Sequence, residues 1–259
     1  MFQLDFRRTP VTLTIAAIII AIQAACVVDQ FIEGDLSELS DKLYNTAKLG
    51  ISPFMWRAPW QPLTTTLLHG GILHAVFNTY WLIYFGSFLE VRFGKIRFLL
   101  LTILLAYVSG ILAFAFKNAM ILEYDKWIPL LADIVPAAKK GWSGSVGFSG
   151  VIYGYFGLFL IGRRREVGFA ALCPPQLVNF LLFWWVLCFA LARSGVLNVD
   201  NGAHTLGLLF GAIYGMAIFE RNISRRYVWI AAAIVLSIVA IAPMFIPPPV
   251  FFNPMIIIQ

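Results

Sequence analysis

The chain has three histidines, His69, His74 and His204, each at or just before the start of a strongly apolar stretch, and Ser149, within Gly147-Phe148-Ser149-Gly150, opens another. A hydroxyl and an imidazole at matching membrane depths form a nucleophile and base: histidine takes the serine proton, serine attacks a carbonyl, and the proton passes to the leaving group. A serine at a helix start also has free backbone N–H groups and the positive end of the dipole beside it, which suit an oxyanion. Each residue has an ordinary alternative. A membrane serine often bonds the carbonyl one turn back, and a buried histidine can be a hydrogen-bonded packing residue.

Four more residues bear on such a site. His74 and Asn78 stand four apart, so both lie on one helix face, where two donors suit an oxyanion hole. Tyr153, one turn below Ser149, is placed to stack on an imidazole or to pack as a core aromatic. Asp200, four residues before His204, is either a third catalytic member or, as favoured here, a solvated loop acid. His69 is five residues before His74, about 140° around a helix of 3.6 residues per turn, which argues against a two-histidine zinc pair. With no HExxH sequence and no acid/cysteine cluster, a metal site is rejected, no cofactor is expected, and His69 is assigned to structure in the loop before the second helix.

These residues need a scaffold, and composition says which kind. With 60% hydrophobic residues, 12% charged and a mean hydropathy of +0.83, the chain is far from an average soluble domain. Apolar runs long enough to cross or enter a bilayer fall near residues 10–28, 70–88, 97–116, 148–162, 177–192, 203–219 and 227–246. That predicts seven helices, the fourth and fifth short. The first is too long for a signal-peptide core, and Cys26-Val27-Val28-Asp29 is no small-residue cleavage site, so it is kept as a helix. Cys26, Cys173 and Cys188 read as buried free thiols.

With the N-terminus in the cytoplasm, eleven of the nineteen Lys and Arg fall inside against four acids, a balance of +7 inside and −1 outside. Membrane topology accounts for the basic charge, and nucleic acid is not needed as a partner. The second, fourth and sixth helices then run the same way. At about 1.5 Å per residue, Ser149 lies about 21 Å above Arg163, His204 about 24 Å above Glu220, and His74 and Asn78 about 24 and 18 Å above Glu90. They form one layer, roughly 6–12 Å below the outer boundary of a core about 30 Å thick. Gly207, Gly211 and Gly215 make a smooth strip on the His204 face, and Gly150, Gly154 and Gly157 offer a matching one, the small-residue pattern of close helix packing in lipid.

His69-x4-His74-x3-Asn78, Gly147-Phe148-Ser149-Gly150 and Ala203-His204-x2-Gly207-x3-Gly211, in this order, resemble a rhomboid intramembrane serine protease. The likeness takes in Glu90-x-Arg92-x-Gly94 and Asn201-Gly202-Ala203-His204, and runs over about residues 50–219. The resemblance implies a catalytic Ser149–His204 dyad without a required acid, an oxyanion site of His74, Asn78 and the Ser149 N–H, and Tyr153 packed on His204. Gly147, Gly150, Gly207, Gly211 and His69 support them. It also implies an outer loop over 29–68 partly embedded in the membrane, which suits Phe54, Met55, Trp56 and Trp60. The fifth helix, with Phe180, Phe183, Trp184, Trp185 and Phe189, resembles the lateral gate for substrate, the alternative being aromatic bulk packed against lipid.

Three features depart from the family pattern. Trp60-Gln61 stands where many members have Trp-Arg, and Trp56-Arg57 lies four residues earlier. The segment 117–147, with Lys126-Trp127 and Lys139-Lys140, is long enough for an extra outer element. A seventh helix follows the six-helix core.

The expectation is therefore an all-α polytopic membrane protein, a six-helix rhomboid-like bundle plus one C-terminal transmembrane helix (6+1). Residues 1–226 form the catalytic core and 227–259 the added helix and tail. Its function is intramembrane serine endopeptidase, cutting transmembrane segments of membrane proteins near the outer face of a bacterial cell membrane. The alternative is a non-catalytic rhomboid-like protein that binds or escorts membrane proteins. A transporter would need inverted repeats and midplane charges, and the sequence has neither. Natural substrate and oligomeric state leave no mark in the sequence.

Overall fold

The structure is a computed structural model describing residues 6–33, 43, 58–127, 146–197 and 199–242. Seven long helices account for most of them: α1 (Pro10–Glu33), α2 (Ile72–Phe93), α3 (Lys95–Trp127), α4 (Ser149–Gly162), α5 (Pro175–Arg193), α6 (Asn201–Phe219) and α7 (Ile223–Ile241). Six are long and apolar enough to cross a membrane, and α4 is shorter. The chain is an all-α polytopic membrane protein of the 6+1 form, with α7 packed against α3 and α6.

α4 is the hub. Its 14 residues span about 21 Å, short of a hydrocarbon core, and it is enclosed by α2, α3 and α6 with eleven residues buried. A helix lined by protein rather than lipid is free of the spanning length. Its glycines let α6 approach backbone to backbone. A Cβ added at Gly207 would strike the Gly150 carbonyl, one at Gly211 the Gly154 carbonyl, and one at Gly157 the Leu208 carbonyl. Gly215 faces Ile161 further down, so numbers rise in step along both helices and α4 and α6 are parallel. α2 runs the same way, with His74 against Gly147 and with Phe85 and Phe88 against Phe159.

The far end of the bundle is tied by polar side chains. Glu90, 1% exposed, accepts the Val11 N–H (2.9 Å), the Thr12 N–H (2.8 Å) and the Thr12 hydroxyl (2.8 Å). An acid thereby caps the otherwise unsatisfied start of α1, where the helix dipole favours it. Two residues on, Arg92 makes a fork-to-fork pair with Glu166 (2.9 and 2.7 Å), which fastens the end of α2 to the turn after α4. That hydrogen bond holds the Glu166 carboxyl below its usual range. Gly94, at φ +85°, then reverses the chain into α3. Glu90-x-Arg92-x-Gly94 is thus three separate fastenings.

Some boundaries differ from the sequence expectation. α1 runs to Glu33 rather than 28, and α3 to Trp127 rather than 116. An apolar run measures hydrocarbon thickness, whereas a helix continues past it wherever residues of adequate propensity follow. α5 is not short: Pro175 sits in its first turn, where a missing N–H does no harm, so the helix starts two residues early and is 19 residues long. Caps set α6 and α7 earlier too, with Asp200 bonding the Ala203 N–H and Asn222 the Arg225 N–H. A π-helical segment, Leu82–Gly86, widens α2 midway. Residues 54–57, 139–140 and the tail from 243 lie outside the described residues, as do the side chains of 126 and 127.

Gly211→Ala should destabilise the bundle by about 1–3 kcal/mol or more, since backbone rather than a mobile side chain blocks the new methyl. Gly94→Ala meets no atom within 4 Å and should show only the strain of its positive φ. Thermal unfolding in detergent, with Gly211→Ala melting well below Gly94→Ala, is the check.

Candidate active site

Ser149 is the first residue of α4, and its hydroxyl lies 2.8 Å from Nε2 of His204 on α6. The two are 55 residues apart in sequence, and the contact exists because Gly150, next to Ser149, and Gly207, three residues after His204, bring the backbones together. Ala203, beside His204, and Ser109 of α3 close the other side of Gly150, where an added Cβ would come within 2.7 Å of the Ser109 hydroxyl. His204 is 5% exposed. Its ring stacks on Tyr153 with centroids 4.6 Å apart and planes 26° from parallel, which fixes the imidazole plane. Tyr153 is held in turn by its hydroxyl, which reaches the Leu181 carbonyl of α5 at 3.4 Å.

The approach to Ser149 is shaped by Gly147. At φ +118° it occupies backbone space open to glycine, and a Cβ there would sit 2.8 Å from Cε1 and 2.9 Å from Nε2 of His74. The Gly147 N–H donates to the Thr65 carbonyl (3.1 Å), so the chain before α2 and the chain before α4 are pinned together. His69, 2% exposed, bridges the same two segments: Nδ1 lies 3.3 Å from the Leu67 carbonyl and Nε2 accepts the Phe148 N–H at 3.4 Å. One nitrogen donates and one accepts, the pattern of a neutral imidazole. Burial, then the neighbouring His74, pushes His69 down to about 3, so it stays neutral at physiological pH.

His74 meets His69 edge to face at 5.0 Å and accepts the Gly70 N–H on Nδ1 at a long 3.4 Å, which assigns the ring proton to Nε2, on the Gly147 side. Asn78 is 1% exposed. Its amide donates to the His74 carbonyl at 2.9 Å, which anchors one N–H and leaves the second as a donor. Asp200 caps α6 through Oδ1 at the Ala203 N–H (3.1 Å), and its backbone carbonyl accepts the His204 N–H at 3.1 Å. Its place in the fold is therefore the first turn of α6.

Sequence reading passed over the bonds that tie α5 to α6 beside His204. Trp185 Nε1 donates to the Thr205 hydroxyl at 3.2 Å, Thr205 donates to the Asn201 carbonyl at 2.7 Å, and the Asn201 amide donates to the Cys188 carbonyl at 3.3 Å. Asn201 and Thr205 stand four apart on one face of α6, a signal that was legible. Across from α2, α5 meets it through aromatic contacts, Trp184 on Phe77 at 5.7 Å and Phe180 on Trp81 at 6.3 Å, while Tyr84 of α2 donates to the Leu172 carbonyl just before α5 at 2.8 Å. Trp60, 49% exposed, precedes the short helix Gln61–Thr64, and the Pro59 carbonyl accepts from Tyr107 of α3 at 2.7 Å. Pro59 thus fastens the end of the outer loop to the bundle.

Residues 57–221, more than half of the chain, match the Rhomboid domain family. Among curated relatives, a rhomboid protease GlpG of an Enterobacter species is 26% identical over 162 residues, 61% of this chain and 48% of that protein. The rhomboid protease GlpG of Yersinia pseudotuberculosis is 27% identical over 221 residues, and that of Yersinia pestis 28% over 222, each covering 85% of this chain and 66% of the relative. The chain thus spans between about half and two thirds of the length of these relatives. With its ordered helices and its family match over 57–221, the chain belongs to the rhomboid family.

Proposed function

We propose that the protein is an intramembrane serine endopeptidase that cleaves transmembrane segments of other membrane proteins through a Ser149–His204 dyad. The observation that carries this reading is the 2.8 Å contact between Ser149 Oγ and His204 Nε2, with the imidazole held flat against Tyr153. His204 takes the serine proton as Oγ attacks the scissile carbonyl, then returns it to the leaving amine. Water repeats the cycle on the acyl-enzyme. The oxyanion is met by the Ser149 N–H, the His74 Nε2–H and the second N–H of Asn78, all neutral donors placed before the reaction. No metal or cofactor takes part.

Substrate enters sideways between α2 and α5. That seam is supported by ring contacts with no hydrogen bond between the facing aromatics, whereas α5 is bonded to α6, so it is the side that opens. A helix hides its carbonyls in its own hydrogen bonds, so the substrate must unwind locally, and small or helix-breaking residues near the cut are expected. The charge balance supports a cytoplasmic N-terminus and a dyad near the outer face. The relatives' organisms point to a bacterial cell membrane. Residues 1–226 are proposed as the core and 227–259 as an addition to it.

A serine-directed mechanism-based inhibitor should label the detergent-purified protein covalently, and labelling should vanish in Ser149→Ala and His204→Ala. Absence of labelling in a folded wild type would favour a non-catalytic binding role. Turnover should fall by several orders of magnitude in both variants, since the two residues act as a unit. Asn78→Ala should lose at most about 10²–10³ in rate, as for one oxyanion donor. Asp200→Asn keeps a capping oxygen and should retain near-normal cleavage of a model transmembrane substrate; a large loss would make Asp200 a third member.

A further inference from the structure

α7 does not close flush on the bundle. A groove of about 480 Å³ runs between α3, α6 and α7, lined on α7 by Ile230, Ala233, Ile234, Ser237, Ile238 and Ile241 and opposite by Leu104, Phe210, Tyr214 and Ala217. From Ile230 to Ile241 it extends about 16 Å. An open apolar groove of this length suits a single extended hydrocarbon chain.

The groove is charged at one end. Helical periodicity continues its lining faces onto two arginines: Arg226 is four residues before Ile230 on α7, and Arg97 seven before Leu104 on α3. Arg226 Nε donates to the carbonyl of Ala217, itself a lining residue, at 3.1 Å, so its guanidinium sits at the mouth with the terminal nitrogens left for another acceptor. Arg97 lies within electrostatic reach of Tyr214. Both are exposed, and neither makes an ion pair among the described residues. Glu220, three residues beyond Ala217, is faced by Arg165 and Arg225.

We infer that this groove binds an anionic phospholipid, with one acyl chain between α3, α6 and α7 and the phosphate on Arg97 and Arg226. A hydrocarbon tail meets the apolar walls, and a headgroup phosphate meets two cations that the helices place at the level where lipid headgroups lie. The site is separate from the dyad and links the added helix to the bundle through lipid.

Native mass spectrometry of the full chain tests this, with phosphatidylglycerol and phosphatidylcholine of identical acyl chains. Wild type should retain phosphatidylglycerol preferentially. R97Q/R226Q should lose that preference by about 30-fold, each cation contributing about fivefold. S237W, which fills the groove and keeps both arginines, should lose retention of either lipid. Circular dichroism confirms folding, and each single arginine variant gives a milder version of the double. Equal retention of the two lipids by wild type, or an undiminished preference in R97Q/R226Q, overturns the proposal. So does a wild-type dimer that S237W converts to monomer, which would make the groove a contact between copies.

Discussion

The approach of α4 and α6 to backbone contact governs everything around the candidate site. Glycine carbonyls of one helix lie where side chains of the other would be, at Gly150 against Gly207 and Gly154 against Gly211. In lipid no solvent drives helices together, so close van der Waals packing has to supply the association, and only residues without a Cβ allow it here. The distance between Ser149 and His204 is then a property of the two helix axes. Two short side chains meet because their backbones cannot be further apart. Tyr153, one turn further along α4, adds orientation to a separation already set.

Other fastenings follow from that seam. α4 surrenders its outer surface to α2, α3 and α6, and so is too short to span and too buried to slide. Its two ends must be held by loops. At the Ser149 end, Gly147 bonds Thr65 and Phe148 bonds His69; at the other, Glu166 holds Arg92. The first pair shapes the space before the nucleophile, and the second keeps the helix from rotating. α5 stands apart, joined to α6 by hydrogen bonds and to α2 by ring contacts, so the bundle has one side that is easier to part than the others.

Much of this was readable from residue types. The glycine strips, the common layer of Ser149, His204, His74 and Asn78, and the seven apolar runs all follow from periods of 3.6 residues and from membrane thickness. Caps were harder, because Asp200 and Asn222 act at boundaries that hydropathy blurs. The extension of α3 to Trp127 could not be read from an apolar count, since helix continues in water without one. The π-helical widening of α2 has no signal in the residues 82–86 themselves. Bonds between distant polar side chains, Glu90 to Thr12 or Trp185 to Thr205, depend on which helix faces meet, and pattern within one segment does not contain that.

The burial of Glu90 under the start of α1 sets an order on the making of the molecule. The N–H groups of Val11 and Thr12 find their acceptor 79 and 78 residues later in the chain. At about 5–20 residues per second of synthesis, those donors wait on the order of 4–16 s for it. During that interval they need water, so the leading end of α1 has to stay at the aqueous boundary while α2 is being made. α1 therefore seats only after α2 has been made, and its final position is decided by the tail of that later helix.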